Sequence, residues 1–343
     1  DKDNHVLRPS IIWCDSRAVE IGNQAFDHIG NQKCLQHLLN SPGNFTASKL
    51  KWVKDNEPAV YDRIHKAMLP GDYIGMKMTG EIKTTISGLS EGMFWDFEEN
   101  GVADFLMENY GLHSDLIPDI VPTFSDQGRL HREAADFLGL TSGIPIGYRA
   151  GDQPNNAMSL NVLNPGEIAA TGGTSGVVYG VVDRPFIDDK TRVNSFAHVN
   201  YTKENPRIGV LLCVNGAGIQ YSWIRQMMAS EGVSYNDMER MVSSIEVNSD
   251  GLRIIPFGNG AERMLQNNDV GGHIINVQFN RHSKAHFYRA ALEGIANSFI
   301  YGVEIMKSLG LNTNVMRVGN DNLFQSEVFS TTIATVLDCE IEM

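Results

Sequence analysis

Two runs of strand-forming residues, Glu167 to Thr171 and Val177 to Val182, meet at Gly172-Gly173-Thr174-Ser175-Gly176, a pattern that predicts a hairpin with a glycine-rich tip. Glycines there leave backbone N–H groups free to face an anion, and the Thr174 and Ser175 hydroxyls add donors. Upstream, Asp152 lies in a Gly-rich break between Ile144-Pro145-Ile146 and the helical-looking Ala157-Met158-Ser159-Leu160. Its side chain is expected to project from the end of a strand at a helix start, where open α/β sheets bind ligands. An acid near a phosphate cradle suggests phosphoryl transfer to a hydroxyl, which needs a base for the hydroxyl and fixed donors for the phosphate oxygens. Taken alone, Gly151-Asp152-Gln153 reads as an ordinary turn and Gly172 to Gly176 as a flexible hairpin tip.

Length and charge narrow the classes. At 343 residues the chain suggests about two domains. A net charge of −13 and a pI near 5.2 argue against a nucleic acid or an anionic membrane as partner, since both attract basic patches. No run approaches a membrane span and no signal peptide opens the chain, so the cytoplasm is expected. Cys14, Cys34, Cys213 and Cys339 lack metal-ligand spacing and read as buried thiols. His282 and His286, four apart, have no further ligand beside them, so no metal site is expected.

Along the chain, helical spacing runs from Ser16 to Leu39, from Thr46 to Pro58, and from Val60 to Met68. Leu69 to Tyr73 reads as a turn into Ile74 to Met78, Ser87 to Asp96 as a loop, and Val102 to Tyr110 and Glu133 to Leu138 as helices. Arg207 to Val214 is a buried strand ending at Asn215-Gly216, with a helix opening by Gln220. Leu252 to Phe257 is another strand. The strongest helix follows Ser283, with Tyr288, Leu292, Ile295, Phe299, Val303 and Met306 on one face, a small-residue stripe at Ala291, Gly294, Ser298 and Gly302, and Gly310 as its stop. Val315 to Val318 is a strand and Ser326 to Leu337 a helix. Alternating strands and helices give the α/β class. The chain opens in a turn, Asp1 to His5, before an expected strand at Ile11-Ile12-Trp13, so it is expected to begin inside a domain.

Motifs that appear in order resemble the FGGY carbohydrate kinases, most closely the members that phosphorylate xylulose. They are Leu7-Arg8-Pro9 with Trp13-x-Asp15-x-Arg17, Lys49-Leu-x-Trp52-x-x-x-Asn56-x-Pro58, Leu69-Pro-x-Asp72-Tyr and Thr79-Gly80-Glu81. Gly151-Asp152-Gln153, Gly173-Thr174-Ser175-Gly176, Gly260-x-Glu262-Arg263 and His286-x-x-Arg289-Ala-x-Leu-Glu293-Gly294 follow. The resemblance implies two actin-like, ribonuclease-H-like ATPase domains flanking a cleft, a sugar-binding one over 1–162 and a nucleotide-binding one over 163–343. It implies ATP with Mg²⁺, a pentulose substrate with D-xylulose foremost, and ribulose, gluconate and glycerol as rivals. A homodimer is compatible with it.

By the same resemblance Asp152 falls on the catalytic base and Gln153 on a substrate contact. Thr174 and Gly173 fall on the phosphate hairpin, Gly216 and Gln220 on the G-x-x-x-Q nucleotide motif, and Gly319 and Ser326 on the adenine side. The family's first phosphate hairpin, its metal-organising aspartate and a Met-His-Gly segment are expected to precede Asp1, and the usual end of the second domain to follow Met343. Val318-Gly-Asn-Asp-Asn-Leu-Phe-Gln-Ser326 is longer than the family's adenine loop and lacks two of its glycines. Asp15 and Arg17 stand either as sugar contacts or as an ion pair beside Trp13 as a core indole. Glu262 with Arg263 reads as a structural pair, Asp72 as a cap or buried hub, and Lys49 as a helix-surface charge. A sugar- or nucleotide-binding regulator without chemistry is the other class left open, although it has no need of a base at Asp152. No G-x-G-x-x-G follows a strand, which removes a dinucleotide-dependent dehydrogenase.

Overall fold

The computed structural model describes every residue from Asp1 to Met343. They form two compact units, Asp1–Asn155 with Asp183–Asp189 and Ser195–Gly209, and Asn156–Val182 with Lys190–Asn194 and Val210–Met343.

The first unit opens with α1 (Val19–Ile29) and α2 (Asn31–Leu38). They replace the one helix expected from Ser16 to Leu39, because Gly30 takes φ 102° and breaks the ladder. The strand expected at Ile11 to Trp13 does not form. The Ile12 carbonyl instead accepts a hydrogen bond from Lys49 Nζ at 2.7 Å. Next come α3 (Thr46–Asn56) and α4 (Pro58–Tyr61). No helix continues to Met68; the chain leaves α4 through turn bonds from Arg63 N to Val60 O and Ile64 N to Tyr61 O. The expected turn at Leu69 to Tyr73 is instead the start of α5 (Pro70–Thr79), with proline at the first turn, where its missing N–H has no cost.

Beyond it lie β1 (Lys83–Thr85), α6 (Ile86–Glu91), β2 (Trp95–Asp96), β3 (Gly101–Val102), α7 (Asp104–Tyr110), β4 (Asp119–Val121) and α8 (Arg132–Leu138). β1 pairs parallel with β4, Thr84 opposite Ile120, and β2 pairs antiparallel with β3. The loop expected from Ser87 to Asp96 is therefore half helix, capped by the Thr85 hydroxyl accepting from Gly88 N at 3.3 Å. Ile144 to Ile146 joins no sheet; single bridges tie Arg129 to Pro145 and Phe124 to Tyr148.

α9 (Asp152–Ser159) leads out of the first unit. The strands that follow are β5 (Glu167–Gly172), β6 (Gly176–Val182), β7 (Asn194–Ala197) and β8 (Ile208–Val214). After them run α10 (Gly218–Met228), α11 (Tyr235–Val242), β9 (Arg253–Ile255), β10 (His273–Ile275) and α12 (Lys284–Ser308). β11 (Val315–Val318), α13 (Glu327–Leu337) and β12 (Glu340–Glu342) close the chain. β9 and β10 pair antiparallel, and the main sheet runs β12-β11-β5-β6-β8-β7. β5 and β6 form the expected hairpin, with Gly172 opposite Gly176, and β11 runs parallel to β5, with Val318 opposite Ala170. Ile168, Ala169 and Ala170 are all buried, as befits a strand covered on both faces.

One face packs on α12, where Leu292, Ile295, Phe299 and Val303 are fully buried and Phe299 meets Phe324 and Phe329 edge-on at 6.1 and 5.5 Å. The other face carries a smaller cluster of Ala157, Val162, Ala169, Tyr179 and Val181. The small stripe on α12 serves as expected: a Cβ on Gly294 would overlap the Ile254 carbonyl of β9.

Candidate active site

In the first unit the site grows from the turn Arg149-Ala150-Gly151 into α9. Asp152 is the first residue of that helix and exposed, and its Oδ1 accepts from Gln153 N at 2.7 Å. A carboxylate at a helix start also lies where the backbone dipole favours negative charge. Three residues before it in the chain, Arg149 is 8% exposed, and its Nη1 stands 3.5 Å from Asp72 Oδ1 and donates to the Lys83 carbonyl. Nε and Nη2 of Arg149 are buried without partners. Asp72 takes hydrogen bonds from Thr84 Oγ1 at 3.0 Å and Leu69 N at 3.3 Å, so it is the cap and buried hub that its position suggested. Burial pushes its carboxyl upward, against the pull of Thr84 and Arg149.

Glu91, at the end of α6, is a member of this group that sequence reasoning missed. Its carboxyl occupies the place where a side chain on Gly151 would begin. Burial, then the charges of Asp152 and Asp72, push it up to about 8. Nothing local marks it, because α6 is one short turn-rich helix whose position is set by distant residues.

The second unit holds the cradle. Gly218 N donates to the Gly173 carbonyl and Ile219 N to the Thr174 carbonyl, each at 3.0 Å, so the start of α10 is stitched to the hairpin tip. Sterics enforce this: a Cβ on Gly218 would overlap the Gly173 carbonyl, one on Gly216 the Pro256 carbonyl, and one on Gly176 the Phe299 ring. Gly173 differs, since a Cβ there would meet only Ser175 O at 3.7 Å. Both polar atoms of the Gln220 side chain are buried without a hydrogen-bond partner, as a group awaiting a ligand would be. Because β5 and β11 are parallel neighbours, the hairpin tip and Gly319 follow strand ends on one edge of the sheet. Leu323 and Phe324, in the segment from Gly319 to Ser326, pack against Gly172, and Ser326 caps α13 by accepting from Phe329 N at 3.2 Å. Thr174, Gly173, Gly216, Gln220, Gly319 and Ser326 are thus gathered in one unit.

Several side readings change. Glu262 is fully buried and does not pair with Arg263; its carboxylate accepts from Asn215 N at 3.1 Å and Gly216 N at 3.2 Å, fixing the loop that carries Gly216. Burial raises it, and these two donors hold it back. Lys49 is buried rather than a surface charge, and burial lowers its ammonium. Asp15 and Arg17 form a close pair, Nη2 to Oδ2 at 2.7 Å, which holds Asp15 down at about 2. Arg17 lies over the Trp52 ring at 4.5 Å, whereas Trp13 is 88% exposed and no core indole. No hydrogen bond or ion pair ties this pair to Asp152. Only Cys34 is buried among the cysteines; Cys14 and Cys213 are exposed. The His282 ring accepts from Gln278 N and the His286 ring from Ser283 N, which occupies both in local turns. Asp1, Asp3 and His5 hold their potential ligand atoms within 4.8 Å of one another. No helix is long and apolar enough to cross a membrane.

Comparison with known proteins agrees with this geometry. Residues 1–159 match the N-terminal domain of the FGGY family of carbohydrate kinases. The xylulose kinase of Staphylococcus xylosus is 25% identical over 343 residues, covering 98% of this chain and 70% of the relative. The solved xylulose kinase of Rhodospirillum rubrum superimposes with a TM-score of 0.88 at 24% identity, over 99% of this chain and 68% of that one. The gluconate kinase of Lactobacillus acidophilus gives 0.86 at 20%, over 99% and 68%. The two structural likenesses show the fold, the two-domain α/β actin-like ATPase type.

Proposed function

We propose, from the match of residues 1–159 to the N-terminal domain of the FGGY carbohydrate kinases and the likeness to xylulose kinases, that the chain transfers the γ-phosphoryl group of MgATP to a terminal hydroxyl of a pentulose, D-xylulose giving D-xylulose 5-phosphate. The observation that carries this reading is Asp152, an exposed carboxylate at a helix start with one oxygen engaged by Gln153 N. Its other oxygen is available to take the hydroxyl proton as the hydroxyl attacks phosphorus, and Gln153 contacts a sugar hydroxyl. Asp15 and Arg17 contribute further sugar contacts from residues 1–162.

Residues 163–343 hold the nucleotide. Thr174 and the Gly173 backbone face the phosphates, Gly216 allows close backbone approach, and the unpartnered Gln220 amide supplies donor and acceptor. Gly319 and Ser326 lie toward the adenine. Mg²⁺ arrives with ATP and offsets phosphate charge. The enzyme works in the cytoplasm, where ATP is plentiful, with small molecules and neither nucleic acid nor membrane as partners. A homodimer is compatible with this scheme.

Ribulose, gluconate and glycerol are the rival substrates, and both a gluconate kinase and a glycerol kinase share the fold. A coupled ATP-consumption assay of the full-length protein across pentuloses, hexonates and glycerol tests the proposal. D-Xylulose should give the highest kcat/KM; preference for gluconate would replace the substrate, and no sugar-dependent ADP release would remove the activity.

A further inference from the structure

Glu91 has no part in the roles above, yet the fold fixes its place with care. α6 is short, capped at Thr85, and its residues Ser87 to Ser90 are buried, so the point at which Glu91 emerges is set by packing. Ser90 Oγ is further tied by accepting from Ala197 N at 3.0 Å. Glu91 itself then lies against Gly151, one residue before Asp152, where only a glycine leaves room for it. The charged and titratable groups that face it are Asp152 and Asp72, both acidic, and the Tyr148 hydroxyl, which donates to Asn155 Oδ1 at 2.7 Å. The cation in the neighbourhood, Arg149, is turned to Asp72 and the Lys83 carbonyl. No ion pair or hydrogen bond neutralises Glu91.

We propose that Glu91 is a positioning residue for phosphoryl transfer, seated against Gly151 as a neutral acid so that Asp152 is the one anionic carboxylate presented at the turn. An ionised Glu91 there would be a desolvated anion facing two others, and it would leave for solvent and unseat the turn that aims Asp152. The upward push to about 8 agrees. The sign follows from linkage. The folded carboxyl holds its proton to about 8, while the ordinary value is 4.5, so stability from this group is complete below 4.5 and declines as pH rises to about 8. The inference rests on the reading of Asp152 as base.

The test measures Tm from pH 5 to 9 for the full-length wild type and E91Q, each also with D152N. Glutamine mimics the neutral acid at every pH, so the Tm advantage of E91Q should widen up to about pH 8 and then stay level. With D152N one facing anion is gone, and the widening should end at lower pH. For turnover, wild-type kcat should fall above pH 8 and E91Q should lack that fall, while E91A should lose about tenfold and E91Q restore most of it. A Tm difference independent of pH, or a window that D152N leaves in place, overturns the proposal. So does an alkaline fall in kcat shared by E91Q. Should no sugar be turned over, the kinase reading fails, and the Tm series still decides whether Glu91 keeps a proton against Asp152.

Discussion

The Asp152 turn and the Gly173 cradle solve opposite problems. Around Asp152 the chain packs charge, with Asp72, Arg149 and Glu91 crowded beneath one exposed carboxylate. Around Gly173 it packs backbone, with carbonyls and rings where side chains would be and a single unpartnered amide, Gln220. A group that moves a proton needs its charge set by neighbours, so side chains surround it. A cradle for phosphate needs N–H groups at close approach, so side chains are excluded. Damage to the first should therefore appear in turnover, and damage to the second in nucleotide affinity.

The largest effect should come from Asp152→Ala, with kcat down by at least ~10², the low end for a positioned base. Calorimetry should find nucleotide affinity intact; normal turnover would remove Asp152 from the mechanism. In the cradle, Gly218→Val cannot fit without moving the Gly173 carbonyl. It should lower stability by about 1–3 kcal/mol and abolish measurable nucleotide binding. Gly173→Val has room inside the chain, so it should keep its Tm and weaken nucleotide about tenfold by obstructing the ligand alone, ~1.4 kcal/mol. If both glycines behaved alike, the steric distinction between them would be lost.

Glu262→Ala tests whether a buried carboxylate can belong to the cradle without touching chemistry. It leaves the Asn215 and Gly216 N–H groups without acceptors, and should cost about 1–3 kcal/mol in chemical unfolding while loosening nucleotide. A kcat that fell with nucleotide saturating would place Glu262 with the first region instead. The smallest change is expected from Asp15→Ala, which breaks an exposed pair. Tm should hold and the sugar KM alone should rise; an unaltered KM leaves the pair purely structural.

What the sequence revealed divides along the same line. The hairpin, α10, α12 and α13 were legible because spacing, glycine stops and a capping Ser326 all act locally. Val60, Ile64 and Met68 have helical spacing too, but the chain turns at Tyr61. Pro70-Gly71-Asp72 looked like a turn because the same residues start helices. In the site, Asp152 and the glycines could be named from motif. Glu91, Arg149 as a buried cation, and Glu262 as the clasp on Gly216 could not, because each acquires its role from a partner distant in sequence.

α12 carries one more consequence, in the order of folding. It packs against β9, α10, α11, α13 and β6, so elements from both sides of it in the chain dock on one rod. Few of these contacts are local, and the entropy of closing the loops between them must be met before they stabilise anything. The second unit should thus acquire structure in one concerted step around Leu292, Ile295 and Phe299, with the hairpin and the start of α10 becoming ordered only once that rod is in place. The glycine tip that would meet phosphate is then among the last parts of the unit to form and the first to open.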